Sequence, residues 1–215
     1  MVLNKFTFPF SRPQKPKAGE SLRPSVPNME NNSTSEQKDT SPLVEEKAQF
    51  SPWQAFCTSK VYLPYKPEMM ELRDRGYGDL IDEKLTLTPY ESFYLFEKQK
   101  IVIKDKRTDE DVNLRDLVKK FSVGKPEIWI KYLVYRDLRD RGYIVRESNP
   151  KFDFDVYGKG PMRRLISIVY EGGEASLKKL GKLLEFADGQ RKELILAVVD
   201  RRTDIVYYTL SSLHV

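Results

Sequence analysis

Histidine and cysteine are nearly missing from this chain of 215 residues, which has one of each, His214 and Cys57. A lone cysteine excludes an intrachain disulfide, and the pair excludes a zinc site built on Cys/His clusters. No cofactor or metal is expected. No apolar run approaches the about 18 residues that a membrane span needs, so no membrane partner is expected either. The N-terminus lacks the continuous apolar stretch of a secretory signal. Charge of one sign is not in large excess. The net charge of +5 permits a nucleic-acid partner without requiring one.

What is present falls into three parts. Residues 1–51 hold six of the 13 prolines, many Ser and Asn, and little apolar periodicity. Such a stretch buries too little surface to offset its chain entropy, and a disordered tail is expected. Phe6, Phe8 and Phe10 alternate near its start. They fit a short strand or a docking motif, but an unstructured terminus is the expectation. Residues 53–123 read as a small α+β domain. An aromatic, strand-like run leads to a helix opened by Pro67 and stopped by Gly76. Thr88-Pro-Tyr-Glu91 is a capping box. Lys100 to Lys104 reads as a strand, and Asn113 caps a further helix.

Residues 126–213 read as a mixed-sheet domain. Pro126 opens a helix with Trp129, Tyr132, Leu133 and Leu138 on its apolar face, and Gly142 ends it. Its end, Leu138-Arg-Asp-Arg-Gly-Tyr143, repeats Leu72-Arg-Asp-Arg-Gly-Tyr77. The shared physics is a glycine free to turn left-handed and an aromatic that folds back. Ala175 to Ala187 is an amphipathic helix with Leu177, Leu180 and Leu184 on one face and Lys178, Lys179 and Lys182 pointing away. Leu194 to Val199 is apolar throughout, as in a strand buried on both faces. Asp204 to Leu210 is the last strand, its Tyr207-Tyr208 pair putting one aromatic on each face.

The stretch that carries chemistry is Pro150 to Tyr170. Phe152, Phe154 and Val156 alternate with Asp153, Asp155 and Tyr157, as in a strand with one apolar face. Gly158, Gly160 and Pro161 break it, and Leu165 to Tyr170 reads as a second, more buried strand. Tyr157, Lys159, Arg163 and Arg164 lie between them. A phenol and three cations at the mouth of a sheet suit a polyanion. An ordinary hairpin with a solvated basic loop fits the same residues.

Upstream lies Lys131-Tyr-Leu-Val-Tyr-Arg-Asp-Leu-Arg-Asp-Arg-Gly-Tyr-Ile-Val-Arg146. Downstream lies Arg191-Lys-Glu-Leu-Ile-Leu-Ala-Val-Val-Asp-Arg-Arg-Thr-Asp-Ile-Val-Tyr-Tyr208. In this order and spacing the three blocks resemble the archaeal tRNA-splicing endonuclease family over roughly residues 55–213. The resemblance implies an α+β / α/β fold class. A small N-terminal α+β domain would precede a C-terminal mixed-sheet domain of the tRNA-intron endonuclease, restriction-endonuclease-like, type. It also implies a cytoplasmic setting, a precursor tRNA partner and cleavage at bulge-helix-bulge junctions, leaving 2′,3′-cyclic phosphate and 5′-hydroxyl ends.

Such cleavage needs a proton removed from the 2′-hydroxyl, one supplied to the 5′-oxygen, and stabilisation of phosphate charge. The family uses a Tyr, His, Lys trio. The resemblance places the tyrosine at Tyr157 and the lysine at Lys192. The histidine position is lost near Arg164, and arginine does not release its proton at useful pH. His214 is expected to be a frayed terminal residue. The chain therefore resembles the family's structural kind of subunit, which pairs with a catalytic subunit in an α2β2 assembly. RNA contacts would fall to Lys159, Arg163, Arg164 and Arg191. Docking would fall to Asp200 and Asp204, in a loop interrupted by Arg201 and Arg202, and to Tyr207 and Tyr208 on the strand that follows. The alternatives are an active metal-independent RNA endonuclease using another acid, or a stand-alone RNA-binding protein. A metal-dependent nuclease fits less well. Asp153, Asp155 and Glu171 are present, but no Glu-x-Lys follows at the usual place.

Overall fold

The computed structural model describes residues 2–6, 52–148, 151–158, 163–172 and 176–212. The N-terminal half forms a five-stranded sheet of order β4-β5-β3-β2-β6. Its strands are β2 (Trp53–Cys57), β3 (Val61–Pro64), β4 (Asp79–Ile81), β5 (Lys84–Leu87) and β6 (Ile101–Asp105). Only β2 and β6 run parallel. A turn of 3-10 helix at Pro67–Met69 leads into α1 (Met70–Asp74). The expected capping box starts α2 (Pro89–Glu97), with both reciprocal bonds made by Thr88 and Glu91. Glu91 is buried, and its second oxygen also accepts from the Gly78 amide at 3.2 Å. Burial pushes its carboxyl above the usual range. Asn113 caps α3 (Leu114–Ser122).

The C-terminal half carries α4 (Glu127–Asp140) and a six-stranded sheet of order β1-β11-β10-β9-β8-β7. Its strands are β7 (Ile144–Glu147), β8 (Phe154–Tyr157), β9 (Arg164–Tyr170), β10 (Glu193–Val199), β11 (Ile205–Ser211) and β1 (Val2–Phe6). All neighbours are antiparallel except β9 and β10, which α5 (Leu177–Gly189) connects.

Three local expectations change. The first residues form β1 rather than an unstructured terminus, because β11 offers them a ladder to complete. Leu177 stands exposed at the first position of α5, while Leu180, Leu183, Leu184 and Ala187 are buried. Trp129 is 38% exposed, and α4 instead buries Tyr132, Leu133, Val134, Tyr135 and Leu138. The remainder of the tail, residues 7–51, lies outside the described residues.

The halves share one core. Phe93 and Tyr90 from α2 join Tyr132 and Tyr135 from α4 and Phe154 from β8. Burial raises the phenol pKa of Tyr90, Tyr94, Tyr132 and Tyr135. A smaller second core lies on the other face of the six-stranded sheet, under α5, and contains Phe152, Leu165, Leu180, Leu184, Leu194 and Leu210.

The repeated hexapeptide closes both α1 and α4 in the same way. Tyr77 N–H donates to Leu72 O at 3.0 Å and Tyr143 N–H to Leu138 O at 3.1 Å, around left-handed Gly76 and Gly142. The two caps then meet. The Arg139 guanidinium lies 3.8 Å from the Tyr77 ring centroid and donates to Arg75 O and Tyr143 O. A side chain at Gly76 would collide with Ile144. Arg139→Lys keeps the charge but loses the planar fork that reaches both carbonyls. It should cost about 1–3 kcal/mol of unfolding free energy, read as a lower denaturant midpoint, the scale of a buried acceptor left unpaired.

Candidate functional site

The site grows from the alternation of β8. Phe154 and Val156 point into the larger core, which leaves Asp155 and Tyr157 on the α5 face of the sheet. The register supports this. Asp155 sits opposite Leu165, and Leu165 beside Leu194, and both leucines belong to the core beneath α5. Two residues before Leu194 and just ahead of β10, Lys192 falls on that same face at the strand's entrance. α5 ends just before it, and the Lys192 amide closes the turn by donating to Ala187 O at 3.0 Å.

Tyr157, Arg163, Lys192 and Asp155 therefore gather at one end of the sheet. The Arg163 guanidinium covers the Tyr157 ring at 5.2 Å. Lys192 Nζ donates to Asp155 Oδ2 at 2.6 Å, with the two side chains only 15% and 14% exposed. The other Asp155 oxygen is buried and accepts no hydrogen bond among the described residues. Both charges of this pair are spent on each other, away from bulk water. Sequence reading placed Asp155 in the alternation of this strand and named it with Asp153 and Glu171 only in weighing a metal-dependent nuclease, which fitted less well. Its place two residues before Tyr157 was legible as a shared face, but its meeting with Lys192 depends on the register of three strands.

The cations expected to join them divide. Arg163 is exposed beside Tyr157, and Arg191 stands exposed on the left-handed turn after α5. Arg164 turns to the opposite face, because adjacent strand residues alternate. Its Nε donates to Glu193 Oε2 at 2.8 Å and its guanidinium lies 5.3 Å from the Phe6 ring centroid. It is held inside the fold rather than offered at the site's mouth. Lys159 and His214 lie outside the described residues. Among those described, no group of three His, Cys, Asp or Glu side chains is placed to hold a metal. No described helix is long and apolar enough to cross a membrane.

The expected docking elements also sort themselves. Asp200 Oδ1 accepts from the Arg202 and Asp204 amides, both at 2.8 Å, so this carboxylate builds its own turn. Arg201, Arg202 and Asp204 are exposed. Tyr207 is 4% exposed, and its hydroxyl donates to Asp137 Oδ2 at 2.8 Å beneath α4, so it is a core residue. Tyr208 packs half-buried against the core under α5. β11 is not an edge strand, since β1 lies along its outer side.

An α+β half and a mixed sheet with a phenol, a guanidinium and an amine at one end define a two-part α+β protein with a cationic sheet end. Comparison with known families makes the class specific. Residues 54–118 match the tRNA intron endonuclease N-terminal domain, and residues 128–207 match the tRNA intron endonuclease catalytic C-terminal domain. The chain belongs to the tRNA intron endonuclease family. It is similar to the tRNA-splicing endonuclease of Pyrococcus horikoshii, 40% identical over 139 residues, which cover 63% of this chain and 80% of that protein. The tRNA-splicing endonuclease of Pyrococcus furiosus is 40% identical over 142 residues, 63% and 80% of the two chains. That of Methanococcus vannielii is 30% identical over 155 residues, 69% and 86%.

Proposed function

We propose that this chain is a noncatalytic, structural subunit of a tRNA-splicing endonuclease, the enzyme that excises introns from precursor tRNA at bulge-helix-bulge junctions. In that reaction the 2′-oxygen attacks the adjacent phosphorus and loses its proton. The bond from phosphorus to the 5′-oxygen breaks, and that oxygen takes up a proton. The products carry a 2′,3′-cyclic phosphate and a 5′-hydroxyl. Tyr157 stands where a base would act and Lys192 where phosphate charge would be met.

The observation that carries the reading is the Lys192–Asp155 ion pair. A lysine neutralised at 2.6 Å by a carboxylate offers little to a phosphate, and the carboxylate adds repulsion of its own. Among the described residues, no working acid stands at the site either. Arg163, the exposed side chain over Tyr157, stays protonated at any useful pH. What this subunit offers instead is shape and positive surface at Arg163 and Arg191, and the exposed Arg201-Arg202-Thr203-Asp204 turn for docking. The partner is a catalytic subunit of the same family in an α2β2 assembly.

The test is reconstitution with a catalytic subunit. Tyr157→Phe and Lys192→Ala in this chain should leave the assembled enzyme's single-turnover rate within a few-fold of wild type. A loss of a hundredfold or more would mean that this chain supplies a working site. Asp204→Ala should weaken co-sedimentation with the catalytic subunit while leaving the fold intact, because its carboxylate is solvent-facing in the free chain.

A further inference from the structure

The five-stranded sheet turns one face to the core and the other to solvent. Ala55, Val61, Leu63 and Leu85 point into the larger core with Phe93 of α2 and Leu117 of α3. Strand alternation turns the residues between them outward. Phe56 and Tyr62 therefore share the outer face, directly opposite each other across β2 and β3, with ring centroids 6.0 Å apart. Thr86 flanks Tyr62 on β5, and Lys104 flanks Phe56 on β6. The four make one row across the sheet, about 14 Å long at the usual strand spacing. Around it Gln54, Pro64 and Lys84 are exposed, and Val102 is 41% exposed.

A lysine leans over each ring. Lys84 Nζ lies 5.3 Å from the Tyr62 centroid, and Lys106 Nζ lies 5.0 Å from that of Phe56. Both lysines are exposed. Among the described residues neither ammonium makes an ion pair. The acids of this face are engaged or stand at its corner. Asp79 is held by Arg146 at 3.3 Å, Asp109 lies 3.5 Å from Lys104, and Asp82 and Glu83 form the turn between β4 and β5. Cross-strand pairing accounts for the two rings. It does not account for two unpaired cations brought over them, one from β5 and one from beyond β6.

We propose that this face binds unpaired RNA, with Phe56 and Tyr62 as stacking platforms for neighbouring bases and Lys84 and Lys106 as phosphate contacts. A base takes the place of the ammonium over each ring, and the ammonium swings on its flexible stem to the phosphate. Stacking asks only for a π-face, so the site tolerates any base. The row has room for about two or three bases, as aromatic sheet platforms do. A duplex keeps its bases stacked inside and offers no face to the rings. The inference rests on the reading of this chain as a subunit that handles precursor tRNA, and it adds a second RNA contact, on the other half of the chain from Tyr157 and Arg163. It is measured on the chain alone, so its failure leaves the subunit role standing. A catalytic role for Tyr157 would in turn leave this face as it is.

Fluorescence anisotropy with a labelled oligouridine of about 12 nucleotides, titrated with the full chain, tests it. The single strand should bind at least about tenfold more tightly than an RNA duplex of the same length, and equal affinities overturn the proposal. Phe56→Thr/Tyr62→Thr should weaken single-strand binding about 30-fold or more, the combined loss of two stacked bases. A folded double variant that binds like wild type overturns the proposal. Lys84→Gln/Lys106→Gln leaves both rings in place. It should lower the slope of log affinity against log salt by about 1.4, the share of two phosphates. If the threonine variant proves unfolded by circular dichroism, this lysine variant decides instead, and an unchanged slope overturns the proposal. Photo-cross-linking to a 4-thiouridine strand should label peptides that contain Phe56 or Tyr62. Labels confined to peptides around Tyr157 and Arg191 overturn it. A face that ignores RNA, and that a catalytic subunit shields from hydrogen exchange, is a protein-docking surface and overturns it too.

Discussion

Incubated with the purified chain alone, a bulge-helix-bulge precursor should stay intact on a timescale where a catalytic homologue cuts it to completion. The expected deficit has two parts. Loss of a general acid at the 5′-oxygen removes about 10²–10⁴ from the rate. Lys192 is then withheld by Asp155, and an absent charge donor at a developing oxyanion costs about 10²–10³ more. The two losses fall on one transition state and need not multiply, but either alone slows cutting at least about a hundredfold. Two variants sharpen the expectation. Asp155→Ala frees Lys192 without supplying an acid, so it should strengthen binding of the precursor but not restore cutting. His214→Ala should change nothing, since the remaining site lacks its phosphate partner whether or not an imidazole is present. Cutting by the wild-type chain that persists through exhaustive purification, and that falls with Tyr157→Phe, would make this chain an enzyme in its own right.

Most of the elements could be read because their signals are local. Thr88 with Glu91 and Asn113 are caps, and each cap starts the helix expected of it. The twin hexapeptides turn as their glycines dictate. The hairpin of β4 and β5 was hidden for an equally local reason. Its turn is Asp82-Glu83, with φ of 47° and 55°, where a glycine or asparagine would have advertised it. Longer-range facts needed the fold. Phe6 stood in a visible alternation, but its partner Tyr207 lies some 200 residues away on β11. Arg163 and Arg164 are neighbours in sequence and were read together, although strand alternation alone should have parted them. The Lys192–Asp155 pair depends on β8, β9 and β10 sharing one register, which no single segment encodes.

Phe154→Ala should lower stability by about 3–5 kcal/mol, the range for emptying a buried phenylalanine site. The ring is fully buried and stands edge-on to Tyr90 at 5.3 Å and tilted to Tyr135 at 5.9 Å. Tyr90 comes from α2, Tyr135 from α4 and Phe154 from β8, so one cavity would loosen both halves at once. Neither tyrosine can swing in to fill it without moving its own helix, and Tyr135 is already wedged edge-on against Tyr94 at 5.9 Å. In a chain of this size the loss should move the melting temperature down by about 6–20 °C. The transition should stay single, because the cavity destabilises both halves together. Phe152→Ala is the matched control. Its ring packs on Phe186 at 5.6 Å in the smaller core beneath α5, away from α2. It should cost less and leave the coupling between the halves untouched. Two resolved transitions in the wild-type chain, with only one moved by Phe154→Ala, would show that the halves fold as independent domains and that the shared core does not couple them.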